Sequence, residues 1–186
     1  MKTSIIFVVL VLSLTMLSYG QNLTGKGTFS INGTISFTST SQENVDNNTS
    51  VLILNPGVDY FIIDNFSLGL ALSIQDISYG SSSNTTWGVG PSARYYLNEE
   101  KAKPFILIAY SYAKQNSSGS NNDITQNNIQ LGVGMDYFIS DNVAVESLVS
   151  YTFINIKYPA VYSYYGIQET KAKALAIGIG LNVFLR

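Results

Sequence analysis

The chain contains neither cysteine nor histidine among its 186 residues. That double absence excludes disulfide scaffolds, thiolate nucleophiles, Ser-His-Asp triads and nearly every zinc site. Charge is scarce too. Asp, Glu, Lys and Arg make up 12% of the residues, about half the usual share, and a formal net charge of −2 gives no electrostatic footprint for a nucleic acid. Beyond Gly20 no apolar run approaches the length of about 20 residues that a membrane-spanning helix needs. What the chain does have is 46% hydrophobic residues, 15 Gly and 13 Tyr, with Ser, Thr, Asn and β-branched residues throughout. This is the composition of an all-β protein in one domain or at most two small ones.

The first segment reads as an address. Met1-Lys2 gives a positive start, Ile5 to Leu17 is apolar, and Ser18-Tyr19-Gly20 places small residues where a signal peptidase reads. Residues 1–20 are therefore expected to be a cleaved signal peptide and 21–186 the folded domain. No Cys follows the apolar run to carry a lipid. The alternative, a retained anchor, is disfavoured because the run is short and polar sequence follows at once.

A pattern recurs four times in the remainder. Gly57-Val58-Asp59-Tyr60-Phe61-Ile62 is echoed by Gly134-Met135-Asp136-Tyr137-Phe138-Ile139, with Asp64-Asn65 and Asp141-Asn142 just beyond. Looser copies are Ser92-Ala93-Arg94-Tyr95-Tyr96-Leu97 and Gly180-Leu181-Asn182-Val183-Phe184-Leu185. Their third positions are 35, 42 and 46 residues apart, room for one strand up, a link and one strand down each. Four such units predict eight strands.

Alternation agrees with that count. Leu68, Leu70 and Leu72 alternate with Ser67, Gly69 and Ala71; Leu131, Val133 and Met135 with Gln130, Gly132 and Gly134; Leu175, Ile177 and Ile179 with Ala174, Ala176 and Gly178. Periodicity cannot say which face is inside, and a soluble, lipocalin-like ligand-binding barrel would alternate as well. A soluble surface is about a quarter to a third charged, whereas the polar face here is mostly Gly, Ser, Thr, Asn and Ala. Small side chains suit a narrow interior and branched aliphatics suit lipid, so the apolar face is expected outside. Lys26, Asp59, Arg94, Asp136 and Glu146 share the polar, inward parity. Arg94 stands where its sibling copies carry Asp59, Asp136 and Asn182, so a lumen charge network centred on Arg94 is expected, with Asp59, Asp136, Glu146 and Lys26 as its members.

Connections alternate in kind. Short turns are expected at Asp64, Asn98–Lys103 and Asp141, with longer links at Ser41–Ser50, Ile77–Thr85, Lys114–Gln126 and Lys157–Glu169. Aromatics collect near both strand ends, as interfacial girdles do: Tyr60, Phe66, Tyr95 and Tyr137 toward the turns, Phe37, Trp87, Tyr110, Tyr112, Tyr151 and Phe153 toward the links.

On these features the chain resembles the small eight-stranded outer-membrane β-barrels of Gram-negative bacteria, the OmpX-like, Ail-like and OmpA-transmembrane-like proteins, from about Gly25 to Arg186. The segment Gly178 to Leu185 is similar to that family's last-strand sorting signal, with Gly180, Val183 and Leu185 in its characteristic positions. Val183 and Leu185 stand where aromatics are usual, Phe184 has the inward parity, and Arg186 extends past the hydrophobic end. The resemblance implies a closed up-and-down transmembrane barrel, insertion by the barrel-assembly machinery with periplasmic chaperones, and contact with outer-membrane lipid and lipopolysaccharide. No cofactor, metal or nucleic acid is expected, and the protein is expected to be a monomer.

A structural or surface-interaction role leads. A narrow pore is a second reading, because Gly-rich strands leave some room in an interior that eight strands otherwise fill. Adhesion through the last loop is a third, on Tyr158, Tyr162, Tyr164 and Tyr165, since tyrosines make rigid amphipathic contacts. Catalysis is the weakest: Ser120 with Asp123 is what any Ser/Asn/Asp-rich loop yields, and Glu99-Glu100 beside Lys101 and Lys103 is a solvated charge cluster. The loop acids Glu43, Asp46 and Asp123 have no metal-ligand spacing.

Overall fold

A computed structural model describes residues 23–40, 49–79, 82–97, 102–115, 124–159 and 169–186. Eight antiparallel strands form a closed barrel in sequence order. They are β1 (Phe29–Thr40), β2 (Thr49–Ile63), β3 (Phe66–Tyr79), β4 (Ser82–Tyr96), β5 (Ala102–Gln115), β6 (Ile124–Phe138), β7 (Val143–Lys157) and β8 (Glu169–Leu185). Each strand pairs with its sequence neighbours, and β8 returns to β1 through Phe29↔Leu185 to Ile35↔Ile179. Residues 1–22, the expected signal peptide among them, lie outside the described residues.

The apolar face is the outer one. Leu70, Val133 and Ile177 are 64%, 60% and 71% exposed, and most branched residues of their parity are exposed with them, with Val183 a buried exception. A soluble barrel would need these side chains inside. Ile106, Ile108, Tyr110 and Tyr112 of β5, where alternation is weakest, are also outside, while Phe105 and Leu107 point in. The girdle residues Tyr60, Tyr95, Tyr137, Phe37, Trp87, Tyr110, Tyr112, Tyr151 and Phe153 are all exposed.

Two details depart from the expectations. The link at Ile77–Thr85 is not long: β3 and β4 continue to Tyr79↔Ser82, leaving only residues 80 and 81 between the strands. The Ser/Asn/Thr run that reads as loop is paired strand. The interior is also not filled by small polar residues alone. Phe61, Tyr96, Phe105, Phe138 and Phe184 are buried within it at the turn end.

The base of the barrel is closed by the chain just before β1. Gly27 takes φ 93°, a left-handed conformation open to glycine, and its amide bonds the Phe61 carbonyl at 2.9 Å. Thr24 lies buried below, its carbonyl accepting from the Asn65 amide at 2.7 Å and its hydroxyl donating to Asn65 Oδ1 at 2.6 Å. Asn65 itself sits at φ 63° in the β2–β3 turn, a region Asn tolerates better than most residues.

Candidate functional site in the barrel lumen

The fourfold repeat builds the lumen in layers. Its third and fifth positions are two residues apart, so both face inward. The third positions, Asp59, Arg94, Asp136 and Asn182, make one polar layer. The fifth positions, Phe61, Tyr96, Phe138 and Phe184, make an aromatic layer beneath it, nearer the turns. All eight side chains are buried. Rings in the aromatic layer lie 5.0 Å (Phe138–Phe184), 5.7 Å (Phe61–Tyr96) and 6.2 Å (Phe61–Phe184) apart between centroids, within the range of favourable aromatic pairs. Phe105 of β5 joins them 5.4 Å from Tyr96.

Arg94 anchors the polar layer. Its Nη1 donates to Glu146 Oε2 at 2.5 Å, and its Nε lies 3.4 Å from Asp59 Oδ2. The guanidinium also stands 4.9 Å from the Phe105 ring centroid, in cation–π range. Asp59 accepts further bonds from Asn32 Nδ2 at 2.7 Å and Ser92 Oγ at 3.3 Å. Asp136 is held instead by the Tyr96 hydroxyl at 2.7 Å and Asn182 Nδ2 at 2.9 Å, and the same Asn182 amide reaches Glu146 at 2.9 Å. Charges sealed from water persist only when paired and hydrogen-bonded in this way.

Lys26 takes no part in this network. It is exposed in the turn ahead of β1, and its backbone amide bonds Asp64 Oδ1 at 2.7 Å. The inward parity fails there because regular strand begins only at Phe29. The lumen's second buried cation is Lys103, which sequence reasoning placed in a solvated turn. Its ammonium donates to Thr24 Oγ1 at 3.3 Å and lies 5.9 Å from the Phe138 ring centroid. The signal that could have found it is the parity of β5, which puts Lys103, Phe105 and Leu107 on one face.

Two glycines make room for the layers. A Cβ at Gly69 would overlap the Asp59 carboxylate, and one at Gly134 would overlap the Phe105 ring. Above the layers, toward the longer links, the lumen opens into a cavity of about 190 Å³ walled by neutral groups such as Asn55, Gln75, Asn128, Gln130 and Thr152. Among the described residues no group of three or more acids is placed to hold a metal ion.

The other sequence-predicted residues divide. Tyr162, Tyr164 and Tyr165 lie outside the described residues, and Tyr158 is half-buried just past β7. Gly180 lies against Gly33 and Thr34 of β1, Val183 is buried, and Leu185 is half-buried at the barrel's base.

Solved barrels share this architecture. The outer membrane protein OprG from Pseudomonas aeruginosa is 16% identical, with a TM-score of 0.55 over 89% of this chain and 100% of its own. Neisserial surface protein A is 15% identical, with a TM-score of 0.61 over 85% and 97%. The N-terminal barrel of P. aeruginosa OprF is 13% identical, with a TM-score of 0.54 over 87% and 99%. At these identities the likeness is one of fold. No curated protein matches the sequence. The family described as outer membrane protein beta-barrel domain matches residues 7–183, nearly the whole chain, and with an apolar exterior and a charge-bearing lumen already in view, this protein belongs to that family of outer-membrane barrels.

Proposed function

We propose that the protein is a non-conducting, non-enzymatic barrel of the bacterial outer membrane with a structural and surface-interaction role. The observation that carries this reading is the pair of layers across the lumen: Arg94 bridged to Asp59 and Glu146, over packed rings of Phe61, Tyr96, Phe138 and Phe184. An aqueous path would have to break buried ion pairs and part an aromatic cluster. The lumen's carboxylates are committed to Arg94, Tyr96 and Asn182, which supports a scaffold role for them rather than a catalytic one. On this reading residues 1–20 are removed on export, periplasmic chaperones and the barrel-assembly machinery insert the remainder as a monomer, and the long links face outward.

Purified protein in a planar lipid bilayer tests the reading. Insertion without discrete conductance steps is the expected result. Reproducible unitary channels would overturn it and favour a pore.

A further inference from the structure

Two prolines interrupt the barrel wall at matching places. Pro56 and Pro91 each stand immediately before the first position of a repeat copy, where the sibling copies carry Val133 and Ile179. Opposite each of them the strand pairing lapses. The β2–β3 register passes from Leu54↔Ile74 to Gly57↔Ala71, and the β4–β5 register from Val89↔Tyr112 to Ser92↔Ala109. The phase of the main chain identifies the missing bonds. Phe61 donates its amide to the Thr28 carbonyl just ahead of β1, so the even-numbered residues of β2 turn theirs toward β3. Leu97 donates to the Pro104 carbonyl of β5, so the odd-numbered residues of β4 turn theirs toward β5. A proline nitrogen has no proton to give. The carbonyls that lose their ladder donor are therefore those of Leu72, facing Pro56, and Tyr110, facing Pro91.

Both carbonyls belong to the lumen. Leu72 and Tyr110 point their side chains outward, yet both residues line the cavity above the polar layer, so it is their main chain that reaches it. At Tyr110 the inward turn is explicit, because a Cβ built on the lumen-facing Gly90 would overlap its carbonyl oxygen. The amides of the wall add acceptors rather than donors. Asn55 and Asn128 spend their nitrogens on Thr34 Oγ1 and Ser111 Oγ, at 3.4 Å and 3.2 Å, and Asn128 Oδ1 has no partner among the described residues. Ile53 and Leu148 make part of the same wall apolar. Beneath the cavity, three buried carboxylates, Asp59, Asp136 and Glu146, stand against two cations, Arg94 and Lys103. An acceptor-rich chamber over a lumen with an excess of carboxylates favours a cation with N–H groups to donate.

The spacing narrows the choice further. Leu72 pairs with Val89, two residues along β4 from Pro91, and β3 and β5 are two strands apart, which sets the freed carbonyls about 10 Å from each other. We propose that the cavity binds a short linear diammonium. Each ammonium donates to one freed carbonyl, and the methylene chain between them lies against the apolar part of the wall. The layers below close the path, so the site is a dead end that takes up its ligand without passing it on. This goes beyond the structural and surface-interaction role by giving the lumen a ligand of its own.

The test is calorimetric titration of the folded protein in neutral detergent with 1,4-diaminobutane, butylamine and 1,4-butanediol. Carbonyl carbon NMR of protein labelled at Leu and Tyr accompanies it. One saturable event with the diamine is expected, about tenfold or more tighter than with butylamine, with the diol weaker still and with shifts at the Leu72 and Tyr110 carbonyls. P56A and P91A each return a donor to the ladder, so each should keep the barrel folded and lower diamine affinity about tenfold, toward that of butylamine. K26Q, at the base, should leave it unchanged. Butylamine or the diol binding as tightly as the diamine, full affinity in both P56A and P91A, or no shift at the two carbonyls would overturn the site. If a proline variant does not fold, the carbonyl shifts of the unaltered protein decide.

Discussion

Arg94 shows how one side chain can determine the interior of a narrow barrel. It replaces the acid or amide of its sibling repeats, and two carboxylates from β2 and β7 converge on it. Removing it leaves Asp59 and Glu146 buried without their cation, so Arg94→Ala should lose about 3–5 kcal/mol of stability, read as a lower unfolding temperature in detergent. Lys26→Ala, a charge removed from an exposed turn, should stay within about 0.5 kcal/mol. Equal effects of the two substitutions would mean that lumen water screens the Arg94 pairs. Phe184 plays the corresponding part in the aromatic layer, in contact with Phe61, Tyr96 and Phe138. Phe184→Ala should cost about 3–5 kcal/mol as a cavity-forming change in a packed cluster, and the same unfolding assay measures it.

At the scale of strands and their links, pairing extends further than composition suggests. Only residues 80 and 81 separate β3 from β4, whereas 41–48, 116–123 and 158–168 separate the other strand pairs at that end. External protease on intact cells should therefore cut within those three segments and spare 77–85, as fragment masses would show; cleavage at 77–85 would contradict the Tyr79↔Ser82 pairing. The strands themselves were legible because lipid outside and a confined lumen inside impose a strict alternation of period two. The polar layer was legible for the same reason, as far as parity reached. Lys26 falls before regular strand begins, so parity misleads there. Lys103 escapes sequence reasoning because a Glu-Glu-Lys-Ala-Lys run looks solvated until Phe105 and Leu107 establish the phase of β5. Composition misleads at 77–85 because Ser, Asn and Thr are as much at home in a lumen-facing strand as in a loop.

Across the whole molecule, the packed layers and the closing turn at Thr24 gather at one end, and the neutral cavity lies at the other. Stability should follow that asymmetry. Replacing 41–48 and 116–123 with two-residue turns should shift the unfolding midpoint little, because the entropy of loop closure changes slowly with length. A large drop in the urea midpoint would show that those segments carry tertiary contacts of their own.

The two stacked rings contributed by the fourfold repeat have a consequence for engineering. Because the fastening lies at the base, the rim is free to vary, and foreign peptides could be grafted between β1 and β2 or between β5 and β6 while the foundation that keeps the cylinder upright stays untouched.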